Sequence, residues 1–238
     1  MRIQTFATPQ SIVDESTTIK NRFVIVIDTL RATSVITTAL AAGARGVIPV
    51  AEIDEAMRLY HNLGSDYALL CGEREGNPIP GFHLGNSPQE YDEHAVGDRM
   101  LVMTTTNGTR ALLAASNAAV LVAGCMLNAT AVADQARHSG LDVTLLCAGT
   151  RGRFSLDDVI TAGAIAHSLV GNAPVADDLT TVARNIYHQY ASNPEEGLRD
   201  CAHVRYLLEA GYAQDVHFCL QHDGLSVVPF YEKGMMKL

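Results

Sequence analysis

The sequence predicts an α/β fold: three layers, α/β/α, around a mostly parallel or mixed sheet, with the active site at the strand carboxyl ends. Three observations carry this. Short Val/Ile/Leu-rich runs alternate with longer Ala/Leu-rich segments at helical spacing through the first two-thirds of the chain, which is the rhythm of βαβ units. The apolar runs are continuous rather than alternating, as expected of strands covered on both faces. Three of them also lead into a turn containing Thr and Arg and then into a helical segment.

In chain order the strands are expected at "RIQTF", "FVIVID", "GVIPV", "YALLCG", "MLVMTTT", "AVLVAG" and "DVTLLC". Helices fall between them at about 33–43, 52–63, 88–94, 108–116, 128–138 and 156–170. The helix at 88 has its own start signal, because Ser87-Pro88-Gln89-Glu90 reads as a capping box with Pro at the first helical position. A helical segment from about 175 to 222 follows, and "SVVPFY" supplies a last strand. No linker, low-complexity tract or charge block interrupts the 238 residues, so residues 1–238 are expected to form a single domain with the helical segment packed on it.

Composition narrows the function. Hydrophobic residues make up 47% and charged residues 18%, too apolar for disorder. The longest apolar runs are far short of a membrane span. "MRIQTFATPQ" lacks the regions of a signal peptide, which predicts a cytoplasmic protein. The five cysteines have no C-x-x-C pair and read as reduced, mostly buried thiols, and no His or Cys grouping has zinc spacing. A net charge of −9, with no Trp and no Lys/Arg run, argues against a nucleic-acid partner. A small anionic substrate is compatible with that charge, because local arginines set the potential of a cleft. A homodimer is compatible with an apolar α/β chain of this length.

In an open parallel sheet the carboxyl ends of the strands share one edge, where ligands bind. Four loops should therefore converge: "DTLRATS", "CGEREGNPIPGFHLGNSPQEY", "TTTNGTR" and "CAGTRGRFS". They carry Arg31, Arg74, Arg110, Arg151 and Arg153, five of the 17 basic residues. Asp28 ends a buried strand, where a carboxylate either caps the next helix or holds Mg²⁺. Thr105, Thr106, Asn107, Gly108, Thr109 and Arg110 offer hydroxyls, backbone N–H groups and a guanidinium at a helix start, a set suited to an oxyanion. The long Gly/Pro-rich loop has the length of a functional one. Within it Glu73 stands as a second metal ligand, a general base or a surface carboxylate, and Asn86 and Ser87 are candidate substrate contacts.

Cys147 and Arg153 have the Cys-x5-Arg spacing of a cysteine-dependent phosphatase. Such a thiolate needs an electropositive setting to lower its pKa. Asp157 and Asp158 lie in a helix-start box, either complementing the dipole or, for one of them, turned into the cleft as a metal ligand.

Taken together, "VIDTLRATSVITTAL", "GEREGNPIPGFHLGNSPQEY", "TTTNGTRAL" and "CAGTRGRFSLDDVITAGAI" resemble the 2-phosphosulfolactate phosphatase family, in order from Phe23 to Ala166. The resemblance implies an Mg²⁺-dependent phosphatase that converts (R)-2-phospho-3-sulfolactate to 3-sulfolactate and phosphate, on a route to coenzyme M. It does not imply cysteine chemistry. His83 departs from the family pattern, which has an acidic residue after "GF". The implied substrate carries about −2 on its phosphate and one charge each on carboxylate and sulfonate, hence the arginines. On this reading Asp28, helped by Glu73 or Asp157, holds Mg²⁺, while Arg31 and the "TTTNGTR" loop stabilise the phosphoryl group. Arg74, Arg151 and Arg153 take the sulfonate and carboxylate. Water attack with Glu73 as base and a phosphoaspartate on Asp28 both remain open. Two alternatives stand beside it: a thiolate enzyme using Cys147 and Arg153, and a non-catalytic anion-binding homologue with His83 as the lesion.

Overall fold

The computed structural model describes residues 1–15, 19–175 and 177–238; Ala176, within the expected helical segment, lies outside them. The strands are β1 (Ile3–Phe6), β2 (Arg22–Ile27), β3 (Gly46–Pro49), β4 (Ala68–Arg74), β5 (Asn77–Pro78), β6 (Met100–Thr104), β7 (Val120–Gly124), β8 (Asp142–Cys147), β9 (Phe230–Glu232) and β10 (Met235–Lys237). The helices are α1 (Ala32–Ala41), α2 (Ile53–Leu63), α3 (Glu93–Val96), α4 (Gly108–Ala114), α5 (Ala129–Ser139), α6 (Leu156–Val170), α7 (Asp178–Tyr190), α8 (Pro194–Leu198), α9 (Ala202–Glu209) and α10 (Ala213–Cys219). Among the described residues no helix is long and apolar enough to cross a membrane.

The ten-stranded sheet runs β1-β8-β2-β7-β9-β10-β3-β6-β4-β5. It is two parallel blocks, β1-β8-β2-β7 and β3-β6-β4, welded by the antiparallel hairpin β9–β10. The welds are short: Phe230 pairs with Val122 on one side and Met236 with Val47 on the other.

Continuous apolar strands do form the middle layer. Along β2, Phe23, Ile25 and Ile27 join a core with α5 and α6, while Val24 and Val26 join a second core with α1 and α4. Burying side chains of this size contributes about 1.5–3 kcal/mol each, and a period of two sends successive residues to opposite faces. A third cluster, Val50, Ala56, Leu70 and Val102, seats α2 on the second block. Gly72 (φ +129) sits where a Cβ would run into the carbonyl of Thr104, so β4 can approach β6 this closely only without a side chain there.

Two local expectations fail. The segment 88–94 is not one helix: a 3₁₀ turn at Pro88–Glu90 is separated from α3 by the buried Tyr91. The Ser87 hydroxyl makes no cap; it donates to Asp215 Oδ1 at 2.6 Å, and Glu90 turns back to accept the Gly85 N–H. The strand expected at "SVVPFY" is β9 and begins at Phe230 rather than Ser226; it pairs with a further strand, β10, which local patterning did not suggest.

Candidate active site

Four loops from the carboxyl ends of β2, β4, β6 and β8 meet helix α9 around a cavity of about 240 Å³. From the first block come Asp28, Leu30, Arg31, Thr150 and Arg151, and from the second Glu73, Glu75, Gly76, Thr106 and Asn107. Asn86 lines it from the long loop, and α9 adds Ala202, His203, Tyr206 and Leu207.

Asp28 follows directly on β2. Its Oδ1 accepts the Ala32 N–H at 3.2 Å, and its own N–H donates to Thr33 Oγ1 at 3.0 Å, so the turn closes on itself. Gly108 backs the carboxylate; a Cβ there would come within 2.6 Å of Asp28 Oδ2. Burial pushes the pKa of Asp28 from 3.8 up to about 7; the Ala32 N–H and His203 pull against this, and Asp157 and Glu73 push with it.

Arg31 is 3% exposed. Its Nη1 donates to Asp215 Oδ2 at 2.6 Å, and its guanidinium lies 4.0 Å from the Tyr212 ring centroid. Both partners come from the helical tail. Glu73, at the end of β4, accepts the Thr106 N–H at 2.6 Å on Oε1, and the Gly76 N–H at 2.7 Å and the Thr106 hydroxyl at 3.0 Å on Oε2. It thereby ties the β4–β5 turn to the β6–α4 loop. Asn107 Oδ1 accepts the Arg151 N–H at 3.0 Å and links the two blocks.

Other sequence candidates stand elsewhere. Arg74 donates to the carbonyls of Glu73 and Ala51 and to Thr104 Oγ1, so it braces strand ends and does not line the cavity. Arg110 is exposed beside Glu52, 3.3 Å away. Arg153 is exposed, and its backbone closes a turn with Thr150. Thr105 and Thr109 are buried and spent on each other at the start of α4. Ser87 serves Asp215 rather than the cavity. Asp157, 1% exposed, accepts from Ser155 and lies under His203, so its carboxylate does not reach the cavity as a ligand. Asp158 is equally enclosed: it accepts the Thr29 N–H at 3.1 Å and the Gly149 N–H at 2.9 Å, clamping two strand ends together. Burial, then Asp157 and Asp28, raise its pKa well above the carboxylate range.

Cys147 is fully buried at the end of β8, and burial, followed by Asp158 and Asp157, pushes its thiol well above its usual range. A neutral thiol outside the cavity, with Arg153 in solvent, cannot run thiolate chemistry. His83 is also removed from the site. It accepts the Leu70 N–H on Nδ1 at 2.9 Å and sits 3.4 Å from the Tyr60 hydroxyl, which is a structural post beside β4.

The wall from α9 was not foreseen. His203, Tyr206 and Leu207 stand at i, i+3 and i+4 on one helix face, but that spacing alone does not say which surface the face meets. Thr150 was passed over because it is an ordinary turn residue by sequence.

The profile of a family described as 2-phosphosulpholactate phosphatase matches residues 6–234. A protein of Caldanaerobacter subterraneus subsp. tengcongensis is 44% identical over 238 residues, covering 100% of this chain and 98% of its own. Proteins of Clostridium acetobutylicum (38% over 236 residues, 98% and 99% covered) and Clostridium tetani (37% over 238 residues, 100% of each) are also similar. All three carry the name probable 2-phosphosulfolactate phosphatase.

Proposed function

This chain belongs to the 2-phosphosulpholactate phosphatase family, and from that premise we propose that it hydrolyses 2-phospho-3-sulfolactate to 3-sulfolactate and phosphate with Mg²⁺ as cofactor. The observation that carries the reading is the meeting of Asp28, Arg31, Glu73 and Arg151 around one small cavity, although they come from three separate strand ends. A cavity of about 240 Å³ suits a compact acid rather than a nucleotide or sugar chain.

The donor set fits Mg²⁺. This hard ion takes oxygen ligands, and usually one or two carboxylates, waters and substrate phosphate suffice. Asp28 and Glu73 supply the carboxylates. Asn86 also lines the cavity, and its buried Oδ1 has no hydrogen-bond partner among the described residues, which leaves a third oxygen suited to the ion. Asp28, Glu73 and Asn86 would therefore hold Mg²⁺, which when bound polarises the phosphoryl group and offsets its charge.

The chain's own residues do the rest. Arg31, kept rigid by Asp215 and Tyr212, binds phosphoryl oxygens and stabilises the charge that develops on them. Arg151, exposed at the mouth, takes the sulfonate or carboxylate. The Glu73 carboxylate already accepts three hydrogen bonds from its own loops, which favours a positioning and ligand role over that of a mobile base. Asp28, on the phosphoryl side, is the carboxylate for the attacking group. The reaction's expected setting is the cytoplasm, where five unpaired buried thiols suit a reducing compartment, and its product is the 3-sulfolactate of a route to coenzyme M.

A phosphate-release assay across phosphorylated hydroxy acids tests the reading. Release from 2-phospho-3-sulfolactate that is abolished by EDTA and restored by Mg²⁺ is the expected result. Full activity after exhaustive chelation would remove the metal, and no release from any ester would remove the phosphatase.

A further inference from the structure

We propose that His203, held in place by the buried carboxylate of Asp157, is the acid that protonates the leaving oxygen of the phosphoester. The proposal rests on the phosphatase reading above and adds a residue that neither the motifs nor the family resemblance assigns.

The geometry is that of an oriented imidazole. Helix α9 carries His203 to the cavity wall, where its side chain is 18% exposed. Its Nδ1 lies 3.5 Å from Asp157 Oδ2 and 3.5 Å from Thr150 Oγ1. Asp157 is itself enclosed at 1% exposure, with Ser155 donating to its other oxygen and the Cys201 thiol 3.8 Å away. The Nδ1 edge of the ring therefore faces protein, and Nε2 is the nitrogen left to the cavity. A carboxylate behind one nitrogen fixes tautomer and ring orientation and supports the protonated ring. The charged groups around it agree: burial pulls the pKa of His203 down, but Asp157 and then Asp28 hold it above its usual value, with Arg31 opposing.

The remaining hydroxyl donors of the wall are committed. The Tyr206 hydroxyl donates to the Glu75 carbonyl at 2.9 Å, the Thr106 hydroxyl donates to Glu73 at 3.0 Å, and the Thr150 hydroxyl is paired with that of Ser155 at 2.9 Å. Guanidinium groups do not release protons, and Asp28 is assigned to the attacking side. An alkyl phosphate leaves as a strongly basic alkoxide unless a proton arrives with bond breaking, which is the work of a general acid. In the step, the attacking oxygen bonds to phosphorus and the phosphorus–ester oxygen bond breaks. The electron pair stays on the ester oxygen, which takes the Nε2 proton, and the ring recovers a proton from the water consumed. The Nδ1 proton stays on the ring, facing Asp157, throughout.

Leaving-group dependence tests this. Wild type, His203→Gln and Asp157→Asn are compared with Mg²⁺ present on 2-phospho-3-sulfolactate and on p-nitrophenyl phosphate, whose leaving oxygen needs no proton. Should wild type reject the aryl ester, phosphoenolpyruvate replaces it as the ester with the less basic leaving oxygen. His203→Gln is expected to lose about 10²–10⁴-fold in kcat on the alkyl ester and less than about threefold on the activated one. Asp157→Asn should show the same asymmetry at smaller amplitude. Equal losses on both esters, or an undiminished His203→Gln enzyme, would overturn the role of His203 while leaving the phosphatase standing. A wild type that cleaves neither ester would overturn both.

Discussion

Two strand ends carry similar short sequences into a helix and put their arginines to opposite uses. After β2, Asp28 leads to Arg31; after β6, Thr105 leads to Arg110. Both turns close alike, a backbone N–H meeting a threonine hydroxyl: Asp28 to Thr33 at 3.0 Å and Thr105 to Thr109 at 3.1 Å. Yet the Arg31 side chain is 3% exposed and bound to Asp215, whereas that of Arg110 is 58% exposed beside Glu52. The turn does not decide the outcome. The start of helix α10 does: Asp215, with Tyr212 just before the helix, lies over the first turn, and among the described residues only the exposed Glu52 pairs with Arg110.

Replacing Arg31 should break the resemblance most visibly. Arg31→Ala leaves Asp215 buried without its cation, and removing one partner of such a pair costs about 3–5 kcal/mol; urea unfolding should show that loss, and phosphate release should fall by at least about 10²-fold. If Arg31→Ala were as stable and active as wild type, the cradle from the tail would have no function.

Asp28→Asn sharpens the same comparison from the side of the carboxylate. Because the folded pKa of Asp28 is raised from 3.8 to about 7, the folded chain holds a proton that the unfolded chain has released across that window. Stability should therefore fall as pH rises from about 4 to about 7, and Asp28→Asn should escape that loss. Over about three units at about 1.4 kcal/mol per unit, a variant without metal or substrate should be more stable than wild type at pH 8 by up to about 4 kcal/mol, while losing activity. Thermal unfolding of both at pH 4 and pH 8, with EDTA, reads the difference; a gap that does not widen with pH would contradict it.

The smallest effect belongs to Arg110→Ala. An exposed ion pair is worth about 0–1 kcal/mol, so stability should change by less than about 1 kcal/mol and kcat/KM by less than about threefold. A large rise in KM would return Arg110 to the substrate.

What was legible in the sequence follows the range of the forces involved. The strands from "FVIVID" to "DVTLLC" could be read because burial on both faces demands continuous apolar runs, whereas "RIQTF" is interrupted by Arg, Gln and Thr and sits at the sheet edge. Asp28, Arg31 and Glu73 could be read as neighbours because parallel strands send their ends to one edge. Ser87 could not: its capping box is intact as a pattern, but Asp215, 128 residues away, takes the hydroxyl. Arg74 and Arg153 were misplaced for a related reason, since a loop's composition does not tell which of its side chains turn inward. His203 was hidden because α9 is an ordinary amphipathic helix, and the place where it docks is recorded in the tertiary contacts of the tail.

The hairpin β9–β10 has a bearing on synthesis. Every residue lining the cavity has been made once the ribosome passes Leu207, yet the two halves supplying its walls share a continuous sheet only when Phe230 and Met236 reach their partners. Joining of the halves thus waits for residues 230–237, and until these emerge a nascent chain carries all its cavity residues without the frame that aligns them.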